Sequence, residues 1–367
     1  MQFDENRWQK VQDDWAKWWD GETNSPMVIL QSMDTSFGMD SSEFTQEFLF
    51  DKTAAEVIKY YTDLTEQIRF YGNSWPKWFI NFGPGIMAGF LGSLVAPSRE
   101  HKTVWFEMKE PVPYDKLDFK YDPDNPWWRR ILELTKLAVD TWGDQVHVSH
   151  TDLGGTLDIL ASFRTSNQLL LDLVDCPAEV IGCCRQINKL WMRYYDELHT
   201  IIKKAGRGTT CWAPILSAKR TYMLQCDFCY MISPRMFEKF VLDDLVELCN
   251  SLDHAFYHLD GPGEIRHLDT LLSIKSLKGI QWIPGAGRPG PAGWIPLLKR
   301  IRDGGKLCQI FVNARGAMQI SREIGCKGFV FYIIPEEPFT EAEFNEYMEV
   351  LNDPDSFIKS LQEAGKR

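Results

Sequence analysis

His258 and Asp260 stand two residues apart in the run HLDGPG. On an extended strand that spacing puts both side chains on one face. An imidazole nitrogen and a carboxylate held this way can bind one divalent ion or work as an acid–base pair. The pair can also be structural, with His258 filling a strand end and Asp260 capping the turn at Gly261. Asp227 and Tyr230 follow another short apolar run, YMLQ, and are flanked by Cys226 and Cys229. C-x-x-C spacing can serve zinc or a redox dithiol, but one pair without a second reads more simply as buried thiols. His150 and Asp152 close a third run, with Asp158 and Arg164 further on. Asn81, Gln281, Trp282, Arg315 and Tyr332 also sit at or beyond the ends of apolar runs, as do Asp34, Ser36 and Glu336. His258, Asp260, Asp227 and Asp152 are the catalytic candidates. Asn81, His150, Tyr230, Gln281, Trp282, Arg315 and Tyr332 are the substrate-binding candidates. A metal would fall to His258 and Asp260.

These residues are distant in sequence, so the fold must gather them. Short apolar runs near 27, 78, 146, 223, 256, 281, 309 and 330 each precede a helical pattern. Strands alternating with helices predict a parallel sheet with right-handed crossovers. Eight such units predict a (β/α)8 TIM barrel, in which chemistry collects at the C-terminal ends of the strands. A doubly wound sheet is the competing arrangement. No G-x-G-x-x-G follows the first strand, and no phosphate-loop, H-E-x-x-H or G-x-S-x-G motif is present. Ser233-Pro234 and Pro177 mark helix starts, because proline costs nothing at the first helical position. Residues 51–72 read as one helix, and 356–364 as the last. An N-terminal helical extension spans 1–25, with Trp8, Trp15, Trp18 and Trp19 making it amphipathic and suited to clamping a larger body. A proline-rich insertion occupies 97–126. Residues 1–367 read as a single barrel domain.

Composition narrows the function classes. Hydrophobic residues make up 44% and charged residues 25%, enough for a core and too little charge for disorder. Lys plus Arg is 40 and Asp plus Glu 51, so the net charge is −11, the wrong sign for a nucleic-acid binder. No run has the length of a membrane span and the first residues lack an apolar signal core, so a cytoplasmic protein is expected. Nine scattered cysteines argue against a disulfide framework. Glycine-rich loops at 83–85, 154–155, 261–263 and 285–287, with Trp282 and Trp294 nearby, suggest a pocket for a flat ligand.

Several stretches together resemble the uroporphyrinogen decarboxylase-like superfamily, which includes the cobalamin- and coenzyme M-linked methyltransferases. They are RWQKVQDDWAKWWDGE near the start, NFGPGIMAGFLG at 81–92, DLGGTLDILASFRTSNQLLLDLVDCPAEV at 152–180, ISPRMFEKFVLDDL at 232–245 and HLDGPG at 258–263. The resemblance implies a TIM barrel. The decarboxylase branch carries an arginine-rich loop near the first strand, where this chain reads LQSMDTSFGMD without arginine. The methyltransferase branch holds zinc with His-x-Cys and a later Cys. His258 matches the histidine, Asp260 stands in place of the first cysteine, and no cysteine falls near Tyr332. The N-terminal Trp-rich segment and NFGPG are similar to those of relatives encoded near corrinoid proteins. The resemblance therefore implies a methyltransferase-like enzyme of a corrinoid-linked system, acting on a small methylated substrate or thiol acceptor. It implies possible zinc, a corrinoid (cobalamin) presented by a partner protein, and a homodimer. The alternatives are a cofactor-independent decarboxylase of a carboxylated substrate and a non-catalytic corrinoid or tetrapyrrole binder.

Overall fold

A computed structural model describes residues 3–33, 51–98, 100, 103–335 and 339–353. The calls at Asp34, Ser36, Glu336 and 356–364 lie outside these residues. The chain runs α1 (Glu5–Trp19), β1 (Met27–Met33), α2 (Ala54–Thr65), β2 (Ile68–Gly72), β3 (Lys77–Trp78), α3 (Met87–Phe90), β4 (Val95–Ser98), β5 (Thr103–Phe106), α4 (Pro126–Trp142) and β6 (His147–Val148). It continues through α5 (Thr156–Arg164), α6 (Ser166–Asp175), α7 (Pro177–Ile202), β7 (Thr209–Thr210), β8 (Leu216–Ser217), β9 (Thr221–Leu224), α8 (Pro234–Phe240) and α9 (Leu242–Ser251). The last elements are β10 (His254–Asp260), α10 (Leu268–Ser273), β11 (Leu277–Ile283), α11 (Ile295–Asp303), β12 (Leu307–Val312), α12 (Ala314–Ile324), β13 (Phe329–Ile333) and α13 (Glu341–Asn352).

The centre is a mixed sheet ordered β2-β1-β13-β12-β11-β10-β9, surrounded by helices. All its neighbours are parallel except β2, which pairs antiparallel with β1. β3 and β6 form a separate parallel pair. Beyond the ladder, the Asn73 amide donates to the Val28 carbonyl at 2.6 Å, and the His150 amide to the Thr210 carbonyl at 3.2 Å. β4 and β5 make an antiparallel hairpin at the start of the expected insertion. No described helix is long and apolar enough to cross a membrane.

One expectation needs correction. Residues 51–72 are not one helix. The Thr53 capping box starts α2, which ends at Thr65, and 68–72 turn back as β2. Ile68 and Tyr71 fit a helical stripe, but Gly72 adopts φ +60°, and a Cβ there would lie 2.4 Å from the Val28 carbonyl oxygen. Side-chain periodicity alone did not separate a helix from a short strand at its end.

The N-terminal helix behaves as its pattern dictates. Asp4 caps it by accepting from the Arg7 amide at 2.8 Å. Trp8, Val11, Trp15 and Trp18 are buried along one face. Trp18 stacks on Phe256 at 6.0 Å, and Trp19 stacks on His254 at 4.1 Å. The Trp15 and Trp19 indoles donate to the carbonyls of Asn73 and Leu216 at 3.1 and 2.8 Å. Helix α1 therefore covers the end of the sheet where β10 begins, and it leaves the other end for chemistry.

Candidate metal centre

β10 alternates half-buried His254, His258 and Asp260 with fully buried Ala255, Tyr257 and Leu259. The pleat therefore directs His258 and Asp260 to one face, as the spacing predicts. Asp227 comes to the same place from the turn Asp227–Met231 that follows β9. Ligand atoms of Asp227, His258 and Asp260 all lie within 4.8 Å of one another. Two carboxylates and one imidazole neutralise a divalent charge and suit zinc or another ion that accepts nitrogen and oxygen ligands.

Neighbouring side chains hold this arrangement. His258 Nδ1 bonds to Gln281 Oε1 on β11, and Gln281 Nε2 donates to Gln309 Oε1 on β12. Register makes this relay possible, since His258 pairs with Gln281 and Gln281 with Gln309 across adjacent strands. Because Gln281 offers its carbonyl oxygen, Nδ1 carries the proton and Nε2 keeps its lone pair for a ligand. Trp212 sets its ring edge-on to His258 at 5.2 Å. Asp158 fixes the turn from below. Its two oxygens accept from the amides of Asp227 and Phe228 at 3.0 and 2.7 Å.

The surroundings are acidic and poorly solvated. Burial raises the Asp158 carboxyl to about 7, helped by the charge of Asp227. Burial likewise raises Asp152 to about 7, against the Gly154 amide that favours its anion. Asp227 is open to solvent, yet the protein around it pushes its carboxyl up; His258 opposes that shift and Asp260 adds to it. Glu264 is fully buried, and neither of its oxygens has a hydrogen-bond partner. Burial pushes it up to about 12, with the nearby Asp227 carboxylate acting the same way, so it is a neutral acid at neutral pH. Cys226 and Cys229 are buried thiols, and Cys229 Sγ lies 3.5 Å from the Tyr257 hydroxyl. A bound cation would relieve this accumulation of carboxyl groups.

A cavity of about 340 Å³ adjoins the cluster, with Asp227 in its wall. Gly85, Thr103, Trp105, Asp158 and Met231 also line it. Two of the glycine loops meet here. A Cβ on Gly154 would lie 2.6 Å from the Gly85 Cα, so these glycines let two backbones touch each other. Gly263 does the same for the Tyr230 ring, which a Cβ would meet at 2.6 Å. Close approach within the chain accounts for these loops without a flat ligand.

The other sequence candidates are distributed differently. Gln281 is fully buried and serves His258. Trp282, its neighbour, points to the opposite face and packs on Trp294 at 5.1 Å. His150 is buried and stacked on Tyr195 of α7 at 4.2 Å with rings nearly parallel, and burial holds it neutral. Both residues were expected at the site from strand-end position; the pleat turns them toward the helices. Asp152 accepts from the Gly154 amide at 2.9 Å, while its carbonyl accepts from the Ile86 amide at 3.0 Å, tying two loops together. Asn81 accepts from the Gly83 amide at 2.9 Å. Tyr332 is half-buried against Phe311 at 4.9 Å, and Arg315 and Tyr230 are exposed. Arg164 makes a two-pronged ion pair with Asp172 at 2.6 and 3.0 Å, a structural role. The sequence reading did not single out Gln309, Glu264 or Trp212. A signal existed for Gln309: polar residues interrupt the apolar runs HAFYHLD, GIQWI and CQIFV at positions that register brings side by side. No protein-family model matches this chain, and no curated protein matches it.

Proposed function

We propose that this chain is a metal-dependent enzyme of a corrinoid-linked methyl-transfer system, built on a closed (β/α)8 barrel. The convergence of Asp227, His258 and Asp260 carries the reading. Closure is supported by bonds that lead from β3 toward β9: the Ser149 amide to the Trp78 carbonyl, the His150 amide to the Thr210 carbonyl, and the Trp212 indole to the Met223 carbonyl of β9. The resemblance to the uroporphyrinogen decarboxylase-like superfamily supplies the reaction class.

In this reading His258 presents Nε2, Asp227 and Asp260 balance the charge of a zinc ion, and Gln281 fixes the ring. Zinc held there would lower the pKa of a thiol acceptor so that it attacks as thiolate. The carboxylates replace the thiolate ligands of the related enzymes, which makes the site harder and less electron-rich. Asp158 keeps Asp227 in place by binding the turn that carries it. The adjoining cavity admits a small acceptor but not a corrin macrocycle, so a partner protein would present the corrinoid at the mouth.

Calorimetric titration of metal-free protein with zinc tests the metal step. One site is expected, weakened about 100-fold or more in His258→Ala and in Asp260→Asn, since each ligand carries roughly 3 kcal/mol of a structural-type zinc site. Methyl transfer from methylcobalamin to a thiol, followed by the cobalamin absorbance change, tests the reaction. Zinc binding that ignores both substitutions would end the metal assignment, and binding without methyl transfer would end the reaction class.

A further inference from the structure

Among the described residues two lysines lie inside the molecule, and they differ. Lys306 is buried, and its ammonium donates to two carbonyls, Ile274 at 2.6 Å and Leu277 at 2.7 Å. It seals a strand end. Lys77 on β3 keeps partial exposure and donates to one carbonyl only, that of Trp212, at 2.9 Å. Among the described residues no carboxylate lies within ion-pair distance of it. Its neighbour Trp78 packs outward on Trp142 at 5.1 Å and Tyr61 at 5.2 Å, so the pleat turns Lys77 to the inner face. The Phe79 ring lies 5.6 Å from the ammonium on that same face. Burial pushes the amine down to about 8.

Trp212 connects this amine to the metal cluster. Its carbonyl accepts a hydrogen bond from the Lys77 ammonium, and its ring sits edge-on to His258. Lys77 and His258 thus lie next to a single tryptophan, one at its carbonyl and the other at its ring. A half-desolvated ammonium with spare donors and no counter-ion costs free energy that an anion would offset. One cation with aromatic walls fits a single carboxylate on an apolar body. A phosphate dianion would want more donors than are present.

We propose that Lys77 is the binding residue for the carboxylate of a small apolar monocarboxylate, whose other end extends toward the Asp227–His258–Asp260 cluster. Only that second end rests on the metal reading; capture of the carboxylate does not. The ligand class is distinct from the thiol that the family resemblance suggests, and it identifies the anionic group by which a substrate would be oriented.

Pentanoate serves as the probe and pentanol as its neutral control. The folded protein is acetylated with limiting acetic anhydride, and each lysine is followed by peptide mass spectrometry. Lys77 should react faster than Lys306, and pentanoate at ten times its Kd should slow Lys77 about tenfold while pentanol leaves it unchanged. Lys77→Met should abolish the rise in melting temperature that pentanoate gives the wild type. Should that variant fail to fold, the labelling comparison decides alone. An unreactive Lys77, or equal labelling with and without pentanoate, overturns the proposal. The same labelling on His258→Ala separates the two readings: protection that persists where zinc no longer binds leaves carboxylate capture standing, and zinc binding without protection removes carboxylate capture alone.

Discussion

The two ends of β10 carry the same kind of side chain on the same face and use it oppositely. At the first end His254 is stacked on Trp19 at 4.1 Å, and its Nδ1 lies 2.8 Å from the Ser217 hydroxyl. Burial pushes its imidazole down to about 4, with the Lys219 charge acting the same way. At the second end His258 faces Asp227 and Asp260, and its Nδ1 is held by Gln281. Between them Phe256 closes the lower part of the face against Trp18. A strand pleat repeats every two residues without regard to purpose. What neighbours the histidine decides whether it is packing or chemistry: aromatic rings below, carboxylates above.

The largest expected effect breaks the lower end alone. Trp18→Ala removes a fully buried indole that touches Phe256, Trp15 and Trp19. It should cost about 3–5 kcal/mol in urea unfolding. Zinc affinity of the folded fraction should stay within about threefold, or 0.6 kcal/mol, of the wild type. A much larger loss of zinc affinity would show that the two ends are not separable.

The next effect comes from beneath the upper end. Glu264 remains protonated in the native state up to about 12, whereas the unfolded chain releases that proton in the ordinary carboxylic range. The native state therefore binds more protons than the unfolded one over that interval, and stability falls as pH rises through it. The contribution is intact below the ordinary value and declines by about 1.4 kcal/mol per pH unit above it. Glu264→Gln has no proton to hold. It should stabilise the protein by about 3 kcal/mol at pH 7 and by less than about 1 kcal/mol at pH 5, read from urea unfolding at both values. A gain independent of pH would mean that Glu264 is ionised in the folded protein, which would ally it with the cluster as a fourth carboxylate.

Much of this organisation could be read from the residues before any coordinates. The order of strands and helices, the cap formed by the N-terminal tryptophans, and the common face of His258 and Asp260 follow from periods of 3.6 and two. Which strand-end residues turn inward was harder. His150 and Gln281 look equivalent in sequence, each a polar residue near the end of an apolar run. One is stacked among α7 side chains and the other holds His258. A shift of one residue in where a strand begins exchanges the two outcomes. Asp227 joining His258 and Asp260 in the candidate metal cluster depends on the turn that Asp158 holds across 69 residues of sequence. Lys77 was passed over because a lysine at the start of an apolar run reads as a surface residue until the strand on either side of it is placed.

The smallest effect sharpens the contrast between the two histidines. Gln281→Leu keeps the volume of the side chain and removes the oxygen that His258 Nδ1–H donates to. The imidazole then loses its fixed tautomer and orientation, and zinc affinity should fall about tenfold, near 1.4 kcal/mol, by competition with a chromophoric chelator. Gln281→Glu restores an acceptor. Gln309 can turn its amide to meet it, because its Nε2 has no partner in the present arrangement. Affinity should return to within about threefold of the wild type. In both proteins zinc binding should weaken as pH falls, because Asp227 must be ionised to bind and the protein packed around it holds its carboxyl above the ordinary value. Equal affinity in wild type and Gln281→Leu would mean that His258 needs no partner on Nδ1, and the difference between the two ends of β10 would then rest on the carboxylates alone.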